Sequence, residues 1–415
     1  VNPMRTTVTI IGAGQAGLAM SRCLTDRSID HVILERGTVA NAWRTERWDS
    51  LQLLTPNWLT RLPSFRYDGT DPDGYMNAAQ VASFLDGYRA SFDAPVLTEQ
   101  HVLSVTGADG NFVTTTTSDR FESRAVVVAT GACSTPKIPE LAGKLPGSVQ
   151  QLAPIHYRNP DQIESNSVLV VGASASGAQL ADELARSGRT VTLAVGEHTR
   201  LPRTYRGMDI HWWLDTLGVL DERIDELEDV VRARRLPSLQ LVGSPEKRTL
   251  GLNELTDSGV QLVGRLAGVA NDTVQFSGSL ANMAAMADLK MYRLLDRIDE
   301  RVAQMGLADE VGPADRPAET AVPTPVVGRP TSDFGAVVWA TGFRPNYPWL
   351  DDALLDRKGA IVHDGGVMAE PGMYVLGLPF TRRRKSSFLD GVGPDAQELS
   401  AHLATHLDET AVPIA

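Results

Sequence analysis

The stretch VTIIGAGQAG at residues 8–17 decides the fold of this chain, and it has a counterpart, VLVVGASASG, at residues 168–177. In both copies a short run of β-branched residues leads into a glycine-rich turn and then into a segment with the apolar spacing of a helix. A second apolar run follows each helix at the same distance, at residues 31–35 and 190–195. An internal repeat of this kind indicates two copies of one supersecondary unit. The sequence therefore predicts two nucleotide-binding βαβ units, 160 residues apart.

The first turn has the residue types that the diphosphate of a dinucleotide requires. Gly12 permits the tight bend from strand to helix, Gly14 lets the backbone approach a diphosphate, and Gly17 allows close packing of helix on strand. The diphosphate would lie at the N-terminus of the helix. Glu35, at the end of the second strand, is placed to bind the ribose hydroxyls of an adenosine. A glycine turn with only a structural use is the alternative.

The second turn departs from the first at two positions. It reads GASASG, so Ser174 stands where the first turn has Gly14, and a ligand approaches the backbone less freely there. Val195 ends the second strand, where the first unit has Glu35. No carboxylate at this position would repel a 2′-phosphate.

Two arginines favour NADPH over NADH at the second turn. Arg200 and Arg203 follow the second strand, and a guanidinium can hold a 2′-phosphate through two parallel hydrogen bonds. Glu197 lies between the strand and these arginines and argues for the reverse preference. His198 is a further candidate for phosphate contact, with a surface histidine of no specific role as the alternative. We therefore predict NADPH.

Charge and composition exclude several classes of protein. The formal net charge is −12 without a lysine- and arginine-rich stripe, so no nucleic-acid partner is expected. Two cysteines, Cys23 and Cys133, form neither a disulfide framework nor a four-ligand zinc site, which predicts a cytoplasmic protein without a metal centre or a redox-active disulfide. We expect no secretory leader, because the first strand begins so early, and no membrane association, because apolar runs fall short of the roughly 18 residues of a span. A chain of 415 residues is too long for one core, so two domains are expected.

Two later segments have distinct local patterns. Residues 281–304 have helical spacing with an apolar stripe that we expect to pack in the core. The stripe consists of Leu289, Leu294, Leu295, Ile298 and Val302. Five prolines between Pro313 and Pro330 exclude a helix and predict an extended surface connection.

Six stretches of sequence form one larger pattern. They are the first glycine turn with Glu35 and Arg36, VANAWRTERWDSLQLLTPNWLTRLP (39–63), VVVATG (126–131), VVWATGFRPN (337–346), MYVLGLPF (373–380) and FLDGVGPDA (388–396). The pattern spans nearly the whole chain and resembles the class B flavin monooxygenases. That family contains the microsomal-type flavin monooxygenases, the plant YUCCA enzymes and the Baeyer-Villiger monooxygenases.

The resemblance implies an α/β fold with two Rossmann-like dinucleotide-binding domains, the NADPH domain being inserted into the FAD domain. The FAD domain would comprise residues 1–160 and 331–415, and the NADPH domain residues 161–330. FAD and NADPH are the implied cofactors, and a small organic molecule and O2 the implied substrates. The oligomeric state stays open, with a homo-oligomer as one alternative.

The resemblance also assigns residues to each nucleotide. The FAD contacts would be Gly12, Gly14, Gln15, Ala16, Gly17, Glu35, Arg36, Trp43, Trp48, Gln52, Val102, Ala129, Thr130, Gly131, Ala340, Thr341, Gly342 and Asp395. The NADPH contacts would be Gly172, Ser174, Ala175, Ser176, Gly177, Arg200 and Arg203.

Asn57 is the predicted catalytic side chain, because it resembles the active-site asparagine that follows the tryptophan stretch in microsomal-type enzymes. An asparagine after proline is also a common turn residue, which is the alternative. Trp43 and Trp48 are equally compatible with a plain hydrophobic core. The basic run at residues 382–385 reads as a solvated loop, with contact to a cofactor phosphate or an anionic substrate as the alternative.

The resemblance implies an enzyme that consumes NADPH and inserts one atom of O2 into a nitrogen, a sulfur or a carbonyl of its substrate, after oxygen adds to the reduced flavin at C4a. Two departures weaken the Baeyer-Villiger reading. The family motif FxGxxxHxxx(W/Y/F), which is expected just before the NADPH domain, keeps only its glycine, Gly147. In addition, Asn41 replaces the glycine that precedes the tryptophan equivalent to Trp43. The alternatives are a reductase, dehydrogenase or amine oxidase that inserts no oxygen, and a flavin-dependent sensor without enzymatic activity.

Overall fold

Two β-sheets form the centre of the molecule. In the computed structural model, which describes residues 3–108 and 111–410, the first sheet has seven strands. Five of them are parallel, and the two at one edge are antiparallel. In spatial order the strands are His363–Asp364, Val367–Met368, Met373–Val375, Ala125–Val128, Val8–Ile11, His31–Leu34 and Val96–Leu97.

The second sheet has five strands in the described part of the chain, and all of them are parallel. In spatial order they are Gln150–Leu152, Ala336–Trp339, Ser167–Val171, Thr190–Ala194 and Gln261–Val263. All lie between two strands of the first sheet, Ala125–Val128 and His363–Asp364, in the order of the chain. The predicted bounds of 161–330 are too narrow for this sheet, because they omit Gln150–Leu152 and Ala336–Trp339.

Helices cover the faces of the sheets. Over the described residues they are α1 (Gln15–Asp26), α2 (Asn41–Thr45), α3 (Ala78–Ala90), α4 (Ala175–Arg186), α5 (Ile210–Thr216), α6 (Val230–Ala233), α7 (Leu252–Asp257), α8 (Leu280–Met305) and α9 (Val392–Glu409). Helices α1, α3 and α9 share one core with the first sheet, and α4 and α7 share another with the second. None of the helices in the described part of the chain is long and apolar enough to cross a membrane.

Smaller sheets are attached to these two layers. A four-stranded sheet consists of Met4–Arg5, Arg120–Ser123, Asn111–Thr116 and Val102–Ala108, and a three-stranded sheet of Leu266–Ala270, Thr273–Phe276 and Gly328–Pro330. Two-stranded pairs are formed by Arg61–Leu62 with Phe65–Arg66, Thr199–Arg200 with Leu239–Gln240, and Thr204–Tyr205 with Met208–Asp209.

The two glycine turns are local copies of one another. Gly12 has a φ of +107° and Gly172 one of +104°, in the region that favours glycine. A Cβ on Gly17 would lie 1.8 Å from the carbonyl oxygen of Gly12, and a Cβ on Gly177 would lie 1.8 Å from that of Gly172. Both helices therefore pack directly on their own turns. The predicted repeat is confirmed in the backbone.

The chain passes between the two sheets twice, and the two passages run side by side. The Lys137 N–H donates to the Gly342 carbonyl at 2.9 Å, and the Arg344 N–H donates to the Thr135 carbonyl at 2.9 Å. Thr341 and Gly342 belong to this connection. These hydrogen bonds hold the two passages against each other.

The predictions for the later segments are confirmed, with one exception. Helix α8 covers the predicted residues 281–304, and Leu295, Ile298 and Val302 are buried on its inner face. Leu289 is 41% exposed, so its place in the stripe is wrong. The proline-rich connection contains no helix within its described residues and ends in the strand Gly328–Pro330.

Candidate functional site

A cavity of about 510 Å³ opens at the carboxyl ends of the strands of the first sheet. This edge is where open α/β sheets bind their ligands. Many of the predicted FAD contacts line it. They are Gly12, Gly14, Gln15, Ala16, Glu35, Arg36, Trp43, Val102, Ala129, Thr130 and Gly131.

The carboxylate of Glu35 is fixed by the backbone of the first turn. The side chain is 6% exposed, its Oε2 accepts a hydrogen bond from the Ala13 N–H at 2.8 Å, and its Oε1 accepts one from the Gly37 N–H at 3.0 Å. Each oxygen keeps a further lone pair for a hydroxyl donor. The geometry therefore suits a pair of ribose hydroxyls, as the sequence predicts.

The space in front of Gly14 fits a diphosphate. Gly14 has φ −85° and ψ −170°, a conformation that any L-residue adopts, and a Cβ there would meet no atom of the described chain within 4 Å. The protein fold does not itself require glycine at this position. Because α1 begins at the next residue, its first N–H groups face this open space and attract an anion. A Cβ would fill the space that a closely bound diphosphate needs.

Trp43 forms one wall of the cavity. The Arg47 guanidinium lies 5.1 Å from the centre of the Trp43 ring system. Gln15 connects the first turn to Trp43 and to Ser387, because its side-chain amide donates to the Ser387 carbonyl at 3.4 Å and its Oε1 lies 3.5 Å from the Trp43 Nε1. The cavity therefore combines an aromatic surface with a glycine-rich phosphate cradle.

Several lining residues were missed by the sequence reasoning. They include His101, Cys133, Asn346, Pro348, Trp349, Gly377, Pro379 and Ser387. Gly377 has a φ of +84°, and a Cβ on it would lie 2.7 Å from the Cβ of Ala16. Gly377 lies in the quoted stretch MYVLGLPF, which was the available signal for this contact.

The two cysteines do not form a redox pair. Both residues lie in the described part of the chain and both are free, Cys23 being buried and Cys133 exposed. Burial raises the pKa of the Cys23 thiol to about 11, so this sulfur stays protonated at neutral pH. The chemistry of this site cannot run through a protein dithiol.

Asn57 fixes a loop, and its predicted catalytic contact finds no support in the geometry. The side chain is 4% exposed. Its Nδ2 donates to the Asp71 carbonyl at 2.9 Å, and its Oδ1 accepts from the Met76 N–H at 2.9 Å. Over the described residues the cavity lining does not include Asn57.

Two further predicted flavin contacts also lie outside the lining of this cavity. Trp48 is 6% exposed and packs in the core of the second sheet. Gln52 forms an antiparallel bridge with Asn77 at the start of α3. Both residues therefore have structural roles, because they connect the tryptophan stretch to neighbouring elements.

Asp395 and the basic run form an ion-pair network. Asp395 is fully buried in the first turn of α9 and pairs with Arg383, yet burial raises its pKa above the usual range. The other pairs are Arg382 and Arg383 with Glu398, Arg384 with Glu222, and Lys385 with Asp221 and Asp390. The reading of residues 382–385 as a solvated loop is wrong, because all four cations are paired within the protein.

The second glycine turn brings most of the predicted nicotinamide contacts together. Gly172, Ser174, Ala175, Ser176 and Gly177 form the turn and the start of α4, and a Cβ on Gly172 would lie 2.3 Å from the Ala340 carbonyl. Ser174 has φ −77° and ψ −172°, close to the values at Gly14, so serine fits the same backbone.

The segment at residues 238–240 crosses the second turn, which the sequence did not indicate. The Ser238 hydroxyl accepts from the Ala175 N–H at 3.3 Å, and the Gln240 amide donates to the Ala173 carbonyl at 2.5 Å. Ser238 therefore contacts the helix end at which a second diphosphate would bind.

Arg200 and Arg203 do not face a cofactor, which corrects their predicted role. Arg200 is 2% exposed, pairs with Asp288 and donates to the Ala318 carbonyl at 2.9 Å. Arg203 is fully buried and pairs with Asp209. Because both guanidinium groups are paired inside the protein, neither is available to a 2′-phosphate.

Arg203 belongs to a buried network that connects residues 203–211 with Leu54 and Tyr75. Its Nη1 donates to the Leu54 carbonyl at 2.8 Å, and the Tyr75 hydroxyl donates to Asp209 at 2.6 Å. Burial disfavours the charged form of Asp209, but hydrogen bonding to His211 and the charge of Arg203 hold its pKa well below the usual range. Asp209 therefore stays ionised.

Known proteins with similar sequences indicate the family of this chain. Residues 9–229, more than half of the chain, match the pyridine nucleotide-disulphide oxidoreductase family. The chain is 32% identical to an uncharacterized CzcO-like oxidoreductase of Geobacillus kaustophilus, with 96% of this chain and 98% of that protein covered. It is 27% identical to the indole-3-pyruvate monooxygenase YUCCA4 of Oryza sativa, with 96% and 88% covered.

A solved structure, the flavin-containing monooxygenase of Stenotrophomonas maltophilia, has the same fold. It superimposes with a TM-score of 0.66 at 22% identity, over 97% of this chain and 99% of that one. Two-dinucleotide-domain flavoproteins of this kind share the α/β fold that the sequence predicts. The chain therefore belongs to the pyridine nucleotide-disulphide oxidoreductase family and is an oxidoreductase that is similar to flavin monooxygenases.

Proposed function

We propose that this protein is an FAD-dependent monooxygenase, which takes electrons from a nicotinamide dinucleotide and transfers one atom of O2 to a small organic substrate. One observation carries the proposal. The open space at Gly14 and the fixed carboxylate of Glu35 lie in a single cavity. A second turn with the same backbone geometry, at residues 172–177, begins the helix α4 of the second sheet.

Each part of the first cavity has a task in holding FAD. The N-terminus of α1 binds the diphosphate, and Glu35 accepts hydrogen bonds from the ribose of the adenosine. Trp43 supplies an apolar surface for the flavin ring. When bound, the flavin supplies the redox chemistry, since it accepts a hydride and passes electrons to O2.

The second turn binds the nicotinamide dinucleotide at the N-terminus of α4. Its Ser174 has the backbone conformation of Gly14, so the amides of both turns present the same arrangement to a phosphate. Ser238 lies against the Ala175 amide and moves, or shares the amide, when a diphosphate binds. Arg200 and Arg203, on which the NADPH prediction rested, take no part.

Oxygen insertion is supported by the relatives, several of which are named as monooxygenases. Disulfide reduction is not supported, because the chain's two cysteines, both in described segments, are far apart in sequence and only one is exposed. The proposed substrate class is a small molecule with an oxidisable nitrogen or sulfur or with a carbonyl group.

The reaction with oxygen tests this function. The purified FAD-loaded protein is reduced anaerobically with a nicotinamide dinucleotide and then mixed with O2 in a stopped-flow spectrometer. The proposal predicts a lasting absorbance band that belongs to neither oxidised nor reduced flavin. Direct return to oxidised flavin with one equivalent of hydrogen peroxide would contradict it and favour an oxidase, and full turnover of an organic acceptor without O2 would favour a reductase.

A further inference from the structure

We propose that the nicotinamide site of this protein selects NADH over NADPH, and that Glu197 is the residue that excludes the 2′-phosphate. The inference rests on the proposed function, because it concerns the nucleotide at the second turn. It reverses the preference that the sequence predicted.

The position that reads the ribose can be identified from the first domain. The Glu35 N–H donates to the Leu97 carbonyl at 2.9 Å, and the Val195 N–H donates to the Val263 carbonyl at 3.0 Å. These two residues therefore end equivalent strands in the same way. Val195 is fully buried and has no polar side-chain group, so recognition of a second ribose passes to the residues that follow.

Glu197 is the exposed charged group that follows this strand. Its side chain is 62% exposed and pairs with Lys290 of α8 at 3.2 Å. A carboxylate accepts hydrogen bonds from the 2′-hydroxyl and 3′-hydroxyl of NADH, as acidic residues do after this strand in NAD-binding folds. The same carboxylate repels a 2′-phosphate, which carries about −1.5 to −2 charges at neutral pH.

The charged groups that follow this strand and those that face them from α8 are paired with one another. Lys290 is compensated by Glu197, and Arg200 is compensated by Asp288. His198 adds no positive charge at neutral pH, because burial lowers the pKa of its imidazole. These two ion pairs therefore add no net positive charge beside the ribose.

One other arginine lies at this edge of the sheet. Arg265 follows the adjacent strand Gln261–Val263 and is exposed. If the site were built for NADPH, Arg265 would be the residue to hold the 2′-phosphate. Substitution of Arg265 by alanine therefore distinguishes the two assignments.

Equilibrium binding of NAD⁺ and NADP⁺ to the FAD-loaded protein tests the proposal, with the rates of anaerobic flavin reduction by NADH and NADPH as a second readout. We expect the Kd of NAD⁺ to be lower than that of NADP⁺ by about tenfold or more. This factor corresponds to the loss of one hydrogen bond to a charged group together with the repulsion between two negative charges. Equal affinity, or a preference for NADP⁺, would overturn the selectivity.

Two variants assign the effect to residues. Glu197→Gln should improve NADP⁺ binding relative to NAD⁺ by about threefold, since exposed charge interactions are weak. Gly196→Arg should shift the ratio further toward NADP⁺, by about tenfold, because it adds a guanidinium beside the ribose. A Cβ on Gly196 meets no atom of the described chain within 4 Å, so the longer side chain can be accommodated.

Glu300→Gln, on the exposed side of α8, is the matched control, and it should leave the ratio unchanged. If Glu197→Gln behaved like this control, the assignment to Glu197 would be refuted. A wild-type preference for NADP⁺ that disappears in Arg265→Ala would transfer recognition to Arg265 and refute the proposal. Binding of neither nucleotide would remove the proposed function itself, and the selectivity with it.

Discussion

Substitution of Gly14 by alanine separates ligand binding from folding. In the protein without FAD a methyl group at this position meets no described atom within 4 Å, and the backbone angles suit alanine. We therefore expect the apoprotein to keep its stability or to gain about 0.4–1 kcal/mol from the lower entropy of the unfolded chain. FAD affinity should fall roughly 10- to 100-fold, because the methyl group displaces a phosphate from one charge-assisted hydrogen bond worth about 1.5–3 kcal/mol.

The assay is a titration of deflavinated protein with FAD, followed by quenching of flavin fluorescence, together with thermal unfolding of the apoprotein. Gly143→Ala is the matched control, since a Cβ there also meets no described atom within 4 Å and Gly143 lies outside the cavity lining. Gly17→Ala should instead prevent folding, because its Cβ would lie 1.8 Å from a backbone oxygen. Unchanged FAD affinity in Gly14→Ala would refute the assignment of the cradle.

Three further predictions concern Glu35, Arg203 and His363. Glu35→Gln should weaken FAD binding about tenfold in the same titration, because an amide nitrogen would face a backbone N–H where a carboxylate oxygen now accepts; unaltered affinity would contradict the ribose role. Arg203→Met should lower the free energy of unfolding, measured in urea, by about 3–5 kcal/mol, because it leaves Asp209 buried without its cation. The ratio of the rates at which NADH and NADPH reduce the flavin should stay the same. A selective loss of the rate with NADPH would show that Arg203 binds the 2′-phosphate. Burial and the charge of Arg234 lower the pKa of His363 from 6.5 to about 4. On acidification the unfolded chain therefore binds this proton before the folded protein does, and the free energy of unfolding falls as the pH drops from about 6.5 to about 4. In His363→Asn the dependence of stability on pH should be shallower over this range, and an identical dependence would contradict the lowered pKa of His363.

The sequence predicts the local geometry of both nucleotide turns because that geometry depends on near neighbours. Gly12 and Gly172 need a positive φ at a strand end, and Gly17 and Gly177 need contact with a turn five residues earlier. Such requirements are visible as residue types at fixed spacing. For the same reason the long helix α8 and the proline-rich connection were predicted well.

The errors concern side chains whose partners lie far away in the chain. Arg200 finds Asp288 on α8, 88 residues later, and this ion pair removes the guanidinium from the surface. Sequence spacing does not show that the two meet. The basic run at residues 382–385 fails in the same way, because its partners include Glu222 and Asp221, on a segment that precedes it by about 160 residues.

Burial also decided cases that composition left open. Trp43 lines the cavity, whereas Trp48, five residues later, packs in the core of the second sheet. Both tryptophans suit either role, so the direction of each side chain had to come from the fold. The Asn57 side chain is held by Asp71 and Met76, which lie 14 and 19 residues later, so its partners are not visible from the local sequence.

Anaerobic reduction of the bound flavin tests the central claim most directly. The FAD-loaded protein is mixed with NADH or NADPH in the absence of oxygen, and the visible absorbance of oxidised flavin is followed. If α1 and α4 each hold the diphosphate of a different dinucleotide, the protein retains stoichiometric FAD and the absorbance is bleached in a single turnover. A protein that retains no FAD at saturation, or whose flavin stays oxidised with both nucleotides, would contradict the account.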